Sequence, residues 1–262
     1  MTHLFGEANV FGAKTAYPEP TIGIPELDEF ADQGLITGIY RQLASGKEGA
    51  VYCCRAHPSV RRKFVVAKVY RQHTEGSYKM GTTYFEGRER VLKPQVLRAI
   101  RTRTRFGKDV ADGLWVEAEY ANLRRLADMG ASTPAPIAAS GRAILMEYIG
   151  NGANPAPQLS GCSISHREAE GLLAQVLRQI ELLLRAHLVH GDLSPYNILV
   201  WKGEARIIDL PQAVDPRFNH AAFDLLKRDI ENVARFLSRF GTTPSSEELA
   251  LDLWERYQRA EL

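Results

Sequence analysis

His190-Gly191-Asp192-Leu193-Ser194-Pro195-Tyr196-Asn197 presents an aspartate and, five residues on, an asparagine; Asp209 follows twelve residues after Asn197. Two short apolar runs, Ile198 to Trp201 and Ala205 to Ile208, predict a hairpin between them. Such a hairpin returns Asp209 to the loop, so two acids and an amide converge on one point. Oxygen ligands of this kind suit Mg²⁺ and the phosphates of ATP. Phosphoryl transfer asks little more of a protein than metal ligands, an acid that orients the nucleophile, and neutralised phosphate charge. Asp or Asn in a turn is in itself ordinary, because both form local side-chain to backbone hydrogen bonds. The HxDxxxxN spacing, the hairpin and the terminal acid together carry the argument.

These residues must be positioned by elements on both sides. Residues 1–24 lack periodicity and read as a loosely held arm, and 26–35 as a short helix. From Ile39 to Tyr70 the pattern is that of strands, including Ala50 to Cys54 and Phe64 to Tyr70. Residues 74–108 lose the apolar rhythm and predict a long, flexible, basic insertion. A helix is expected over Val110–Met129, stopped by Gly130, with strands near Ile137 and over Ala143–Tyr148. Residues 25–149 thus form a β-rich lobe, 150–157 a Gly/Pro-rich hinge linker, and 158–262 a helical lobe holding the catalytic loop. In that lobe Ser165 and Glu168 form a capping-box pair ahead of an apolar stripe ending at Leu188. Two further amphipathic helices follow, one carrying Phe223 to Phe240 and one starting at Ser245. A nucleotide cleft belongs at the joint between the lobes.

The β-rich half supplies further candidates. Ala44-Ser45-Gly46-Lys47-Glu48-Gly49-Ala50 links two strands with glycines, and glycine lets the backbone approach phosphate oxygens. Lys68 lies in the most apolar strand and needs a counter-charge. Glu119 is the best candidate for that role, and Glu117, across Ala118, is the alternative. Met146-Glu147-Tyr148-Ile149 ends a strand before the joint, where the Glu147 carbonyl and the Ile149 amide would read an adenine edge. His190 reads as a structural residue of the loop, and His166 and His187 as helix residues without chemistry.

Composition narrows the classes. With 45% apolar and 24% charged residues the chain is an ordinary globular protein, and a net charge of +2 gives no general case for nucleic-acid binding. Charge is uneven, however: Arg88 to Lys108 holds eight basic residues and one acid, Glu89, which keeps a phosphate-rich partner open. Cys53 and Cys54 are adjacent in a strand and point to opposite faces, and with Cys162 they read as reduced thiols. The first ten residues lack a basic region followed by an apolar core, and no run reaches membrane-spanning length. A cytoplasmic protein without a membrane partner is expected.

Taken in order, SGKEGAVY (45–52), AKVY (67–70), YFEGRER (84–90), LWVEAEYANLRRL (114–126), MEYIG (146–150), HGDLSPYNILV (190–200), IIDLPQAVD (207–215) and KRDIENVARF (227–236) resemble the RIO family of atypical serine/threonine protein kinases, most of all its first subfamily. The resemblance covers Ile39 to Phe240. It implies an α+β, bilobal protein-kinase-like fold whose helical lobe is reduced and lacks a long activation segment. It implies ATP with Mg²⁺ (Mn²⁺ as a substitute), and a phosphate loop of Ser45, Gly46, Lys47, Glu48, Gly49 and Ala50 with Lys68 on phosphate. Asp192 would be the catalytic base and Asn197 and Asp209 the metal ligands, with transient phosphate transfer to Asp209 itself within reach. Two departures stand out. Gly49 occupies a position where alanine is usual, which predicts a looser loop, and Pro211 removes a backbone donor beside the metal site.

Three functions follow. The first is a serine/threonine kinase acting on itself and on a protein substrate the sequence does not identify. The second is an ATPase-driven switch docking on a ribosomal or other RNA-containing partner, for which the basic stretch argues. The third is a small-molecule phosphotransferase, since choline-kinase-like and aminoglycoside-kinase-like proteins share HGDLxxxN; SGKEGAVY, GRER and Gln212 weigh against it.

Overall fold

Alternation along Phe64–Tyr70 sets the architecture of the amino-terminal half. Val65, Ala67 and Val69 point to one side and are buried against Leu27 and Phe30, while Val66 and Tyr70 join a second core on the other side. Lys68 shares the side of Val66 and Tyr70, so the strand that looked most apolar delivers its one charge to the inner face. The computed structural model describes residues 23–46, 49–71, 93–102, 104–152, 154–242 and 245–262, with the Asp109 side chain also left aside. Residues 1–22 of the expected arm, Lys47 and Glu48 of the phosphate loop, and residues 72–92 and Arg103, in and before the insertion, lie outside it.

Strands β1 (Ile36–Ser45), β2 (Gly49–Ala56), β3 (Phe64–Tyr70), β4 (Pro136–Ser140) and β5 (Ala143–Glu147) form an antiparallel sheet in the order β1-β2-β3-β5-β4. A 3-10 turn, Pro25–Leu27, and helix α1 (Asp28–Asp32) cover its outer face. On the inner face lies the long helix α3 (Arg105–Asp128), preceded by α2 (Pro94–Arg101).

Pro94–Arg101 and residues 105–108, expected within the flexible insertion, are helical. Pro94 opens α2 at a position where its missing N–H costs nothing, and the Thr104 hydroxyl caps α3 by accepting from Gly107 N–H at 3.0 Å. The two helices approach so closely that a Cβ on Gly107 would stand 2.0 Å from the Ala99 carbonyl oxygen. This first turn of α3 rests on α2 rather than on the core, so its basic sequence shows no apolar rhythm. At its other end α3 stops at Gly130, whose φ of +74° suits glycine.

The hinge is more ordered than its Gly/Pro content predicts. Gly150–Asn151 (β6) and Asn154–Pro155 (β7) pair as a small hairpin, extended by Ala156 N–H to the Ile149 carbonyl at 2.9 Å. Gly150 is needed there, because a Cβ would sit 2.5 Å from the Asn154 carbonyl oxygen.

The helical lobe consists of α4 (His166–Arg185), the hairpin β8 (Ile198–Trp201) and β9 (Glu204–Ile207), α5 (Ala222–Leu237) and α6 (Ser246–Gln258). The capping box is present: Ser165 accepts from Glu168 N–H, and the Glu168 carboxylate accepts from Ser165 N–H. Residues 210–221 connect β9 to α5 with no helix or strand, their one ladder contact being Val214 with Val189. The bilobal α+β fold and the short segment after Asp209 are therefore as expected. The larger core runs through both lobes, joining Tyr70, Val116, Leu123, Leu126, Ile144 and Met146 to the helical residues. No helix among the described residues is long and apolar enough to cross a membrane. All three cysteines are unpaired; burial pushes the Cys53 and Cys54 thiols up to about 11 and about 12.

Candidate active site

Two glutamines of α4 fix the β8–β9 hairpin, Gln175 directly and Gln179 through Ser132, whose carbonyl accepts from Ile207 N–H at 2.9 Å. Gln175 accepts from Ala205 N–H at 2.9 Å and donates to the Gly203 carbonyl at 3.0 Å, while Gln179 accepts from Ser132 N–H at 2.6 Å. The register Ile198↔Ile207 then sets Asn197 opposite Ile208, whose N–H donates to the Asn197 carbonyl at 3.0 Å. Asp209 is the next residue. Its φ of +70° is a left-handed conformation that aspartate tolerates better than most residues. The turn sends its carboxylate into the cleft.

There Lys68 meets it. The ammonium donates to Glu119 Oε1 at 3.1 Å and also to the Asp209 carboxylate. Glu119, only 3% exposed, is thus the partner, and Glu117 is exposed on the other side of Ala118. Burial alone would lower the Lys68 pKa, but the two carboxylates more than offset it and hold the ammonium charged. Burial pushes the Glu119 carboxyl up. Two carboxylates around one ammonium leave a net negative charge in a sheltered site, which a cation would relieve.

The catalytic loop is held by its backbone. Asp229 of α5, 1% exposed, accepts from Gly191 N–H and Leu193 N–H at 2.8 Å each. Its neighbours Arg228 and Asn232 donate to the carbonyls of Gly191 and Leu193, the latter at 3.1 Å. His190, 2% exposed, accepts from Asp192 N–H through Nδ1 at 3.3 Å and donates from Nε2 to the Ile208 carbonyl at 3.1 Å. Burial lowers its pKa, so the neutral ring, protonated on Nε2, joins the loop to the strand that carries Asp209. The structural role expected for His190 holds. His166 and His187 do have partners, the Phe240 carbonyl and the Tyr257 hydroxyl, both remote from this chemistry.

Asp192 is exposed, with its N–H and its carbonyl both hydrogen-bonded within the loop. Asn197 donates from Nδ2 to the Asp192 carbonyl at 2.8 Å, which leaves its amide oxygen as a ligand for a cation. Asn197 and Asp209 therefore offer the hard oxygen donors that Mg²⁺ prefers. Among the described residues no three His, Cys, Asp or Glu side chains form a metal cage. Such a cation would take its other ligands from phosphate and water, as Mg²⁺ commonly does.

The remaining expected residues have partners of their own. Ser45 accepts a hydrogen bond from Arg71 at 3.0 Å, and Gly46 N–H donates to the Gly49 carbonyl at 2.9 Å. At Gly49 a Cβ would lie 2.2 Å from the Val69 carbonyl oxygen, so the glycine permits a close strand approach. The Glu147 carboxylate is spent on Arg62 at 3.0 Å and on Ala135 N–H at 3.2 Å. Its backbone N–H donates to the Ala135 carbonyl at 2.8 Å, and Ile149 is buried with its carbonyl on Ala156 N–H.

Sequence reasoning gave Asp229 no role. Its signal was an acid on an apolar helix face between Leu226, Ile230 and Val233, which is costly unless hydrogen-bonded. Burial pushes its carboxyl up to about 7 from 3.8. The native state then binds this proton more tightly than the unfolded chain, so its contribution to stability falls as pH rises from about 4 to about 7. Melting curves across that range should show the wild type losing stability relative to Asp229→Asn. Parallel pH profiles would contradict this account.

Comparison with known proteins agrees with this geometry. The RIO domain family matches residues 50–250. A "RIO-type serine/threonine-protein kinase Rio1" of Thermoplasma acidophilum is 34% identical over 180 residues, covering 69% of this chain and 88% of the relative. "Serine/threonine-protein kinase RIO1" of Caenorhabditis elegans is 30% identical over 211 residues, covering 80% of this chain and 39% of the relative. The chain likewise spans 58% of the length of a probable homologue from Encephalitozoon cuniculi. Among solved structures, the Rio2 kinase-ADP/Mg²⁺-phosphoaspartate complex from Chaetomium thermophilum superposes with a TM-score of 0.60 at 21% identity, covering 86% of this chain and 64% of that one. With the family match running from β2 into the last helix, over a cleft that brings Lys68, Glu119 and Asp209 together, the chain belongs to the RIO family.

Proposed function

We propose that this protein is an ATP- and Mg²⁺-dependent serine/threonine protein kinase of the RIO type, able to phosphorylate itself and a protein substrate. The observation that carries the reading is the Lys68 bridge to both Glu119 and Asp209, beside an asparagine whose amide oxygen is free to ligate. Asn197 and Asp209 hold the Mg²⁺, or Mn²⁺ in its place, which neutralises phosphate charge when bound. Lys68 turns part of its hydrogen bonding to the phosphates, with Glu119 keeping it in place. Ser45, Gly46 and Gly49, with Lys47 and Glu48, cradle the phosphate chain. Asp192 accepts or orients the proton of the incoming hydroxyl.

A phosphate-fate assay tests this. With γ-labelled ATP, acid-stable label on serine in the protein or an added acceptor is expected, and it should vanish in Asp192→Ala. Label released only as inorganic phosphate would overturn kinase activity in favour of an ATPase. Lys68→Ala should lower turnover about 10²–10³-fold, the usual loss when one preorganised electrostatic group is removed. Steady-state phosphorylation at saturating ATP is the check.

A second reading, an ATPase-driven switch on a ribosomal or other RNA-containing partner, draws on the α2–α3 hairpin. It carries Lys93, Arg98, Arg101, Arg105 and Lys108 beside an exposed Phe106. Salt-sensitive RNA binding, lost when these cations are replaced, would favour it. A cytoplasmic setting belongs to the same proposal and is supported by the unpaired thiols.

A further inference from the structure

The geometry points to Trp115 as a positioning residue: its indole N–H holds the backbone that follows Asp209, and so keeps the Asp209 carboxylate at the metal site. The inference rests on the metal-dependent phosphotransfer proposed above.

Trp115 and Glu119 lie four residues apart on α3 and therefore share one face. Both reach the same short stretch of chain. Glu119 meets Lys68 and, through it, Asp209, and the Leu210 N–H faces the Glu119 carboxylate. Trp115 Nε1 donates to the Pro211 carbonyl at 2.8 Å. Helix α3 thus grips the side chain of residue 209 and the backbone of 210 and 211 in sequence. The ring itself is fixed, packed against Tyr70 with centroids 5.2 Å apart; Tyr70 is 2% exposed and has Lys68 lying 4.7 Å over its ring.

Two features make that hydrogen bond consequential. Asp209 has a φ of +70°, a conformation that persists for a non-glycine residue only when its surroundings impose it. Residue 211 is proline, with no N–H to anchor, so its carbonyl is the one polar backbone group available there. The following carbonyl, of Gln212, lies where a Cβ on Gly191 would approach to 2.8 Å. Slack in residues 210–212 would therefore reach Asp209 on one side and the catalytic loop on the other.

The test separates the N–H from the ring. W115F keeps an aromatic ring but no donor. W115H packs less well yet carries a ring N–H at the position of the indole one. Trp115→β-(3-benzothienyl)alanine replaces only the N–H, by sulfur, and guards against a Phe variant that fails to fold. Thermal unfolding, metal-free nucleotide binding in EDTA, and the Mg²⁺ concentration for half-maximal phosphotransfer are measured for each, with Asp209→Asn alongside. Expected is a rise of about fivefold in half-saturating Mg²⁺ for W115F and the benzothienyl variant, the size of one lost hydrogen bond. W115H should be closer to wild type, and nucleotide binding in EDTA should be the same in wild type and the three Trp115 variants. The inference is overturned if W115H is worse than W115F, the order that packing alone dictates, or if the benzothienyl variant matches wild type. Should Asp209→Asn itself keep wild-type turnover and Mg²⁺ dependence, the phosphotransfer reading fails rather than this refinement of it.

Discussion

Asp209→Asn is expected to reduce ATP-dependent phosphoryl transfer by about 10³-fold or more, beyond the usual cost of one lost electrostatic group, without unfolding the protein. The substitution keeps the shape of the side chain, and asparagine tolerates the left-handed backbone at this position, φ +70°. It removes one of two carboxylates that share the Lys68 ammonium, so the Lys68–Glu119 pair at 3.1 Å survives with balanced charge. Breaking a buried pair destabilises because it leaves a charge uncompensated; here compensation improves. Melting temperature should therefore hold or rise while activity disappears. The same reasoning separates metal binding from nucleotide binding. With Asp209 neutral, Lys68 loses a competitor for phosphate, so nucleotide affinity in EDTA should be kept or strengthened. The gain in affinity on adding Mg²⁺ should vanish. Calorimetric titration of ADP with and without Mg²⁺ reads both, and an undiminished Mg²⁺ effect would remove Asp209 from the metal site.

How much of this site the sequence discloses depends on how local the causes are. The loop from His190 to Asn197 and the hairpin after it are specified by near neighbours: fixed spacing, two apolar runs and a tight turn. Sequence alone places Asn197 and Asp209 together, and the observed register Ile198↔Ile207 does so. Lys68 was legible as a charge in an apolar strand, which must find a partner. Glu119 against Glu117 was decided only by the rotation of α3, since Ala118 and Glu119 are both buried. Other features have no local cause. The start of α3 at Arg105 depends on α2 packing at Gly107, and the hinge hairpin on a carbonyl 2.5 Å from where a Gly150 Cβ would be. Asp229 and Trp115 act through backbone groups 36 to 38 and 96 residues away in the chain, and those contacts leave no pattern near either residue. Recognition of a ligand by backbone groups, as expected of Glu147 and Ile149, would be silent for the same reason, because any residue can supply a carbonyl or an amide.

Asp192→Ala tests the opposite case, a residue whose carboxylate the fold does not use. The loop around it is fixed by main-chain bonds: Asp192 N–H to His190, the Asp192 carbonyl from Asn197, and Gly191 and Leu193 N–H to Asp229. Deleting the carboxylate removes none of these, so melting temperature and nucleotide affinity, with or without Mg²⁺, should stay at wild-type values. Turnover should fall by about 10²–10⁴-fold, the usual worth of a positioned general base. The pattern is the mirror of Asp209→Asn, where the metal effect on binding is lost. A fall in nucleotide affinity would place Asp192 among the binding groups instead. The partition of product carries further. A base that orients a protein hydroxyl matters for transfer to serine, whereas water can reach the phosphate by other orientations. Asp192→Ala should therefore lose acid-stable serine label more completely than it loses release of inorganic phosphate. Equal losses would mean that both acceptors, hydroxyl and water, are oriented by the same carboxylate.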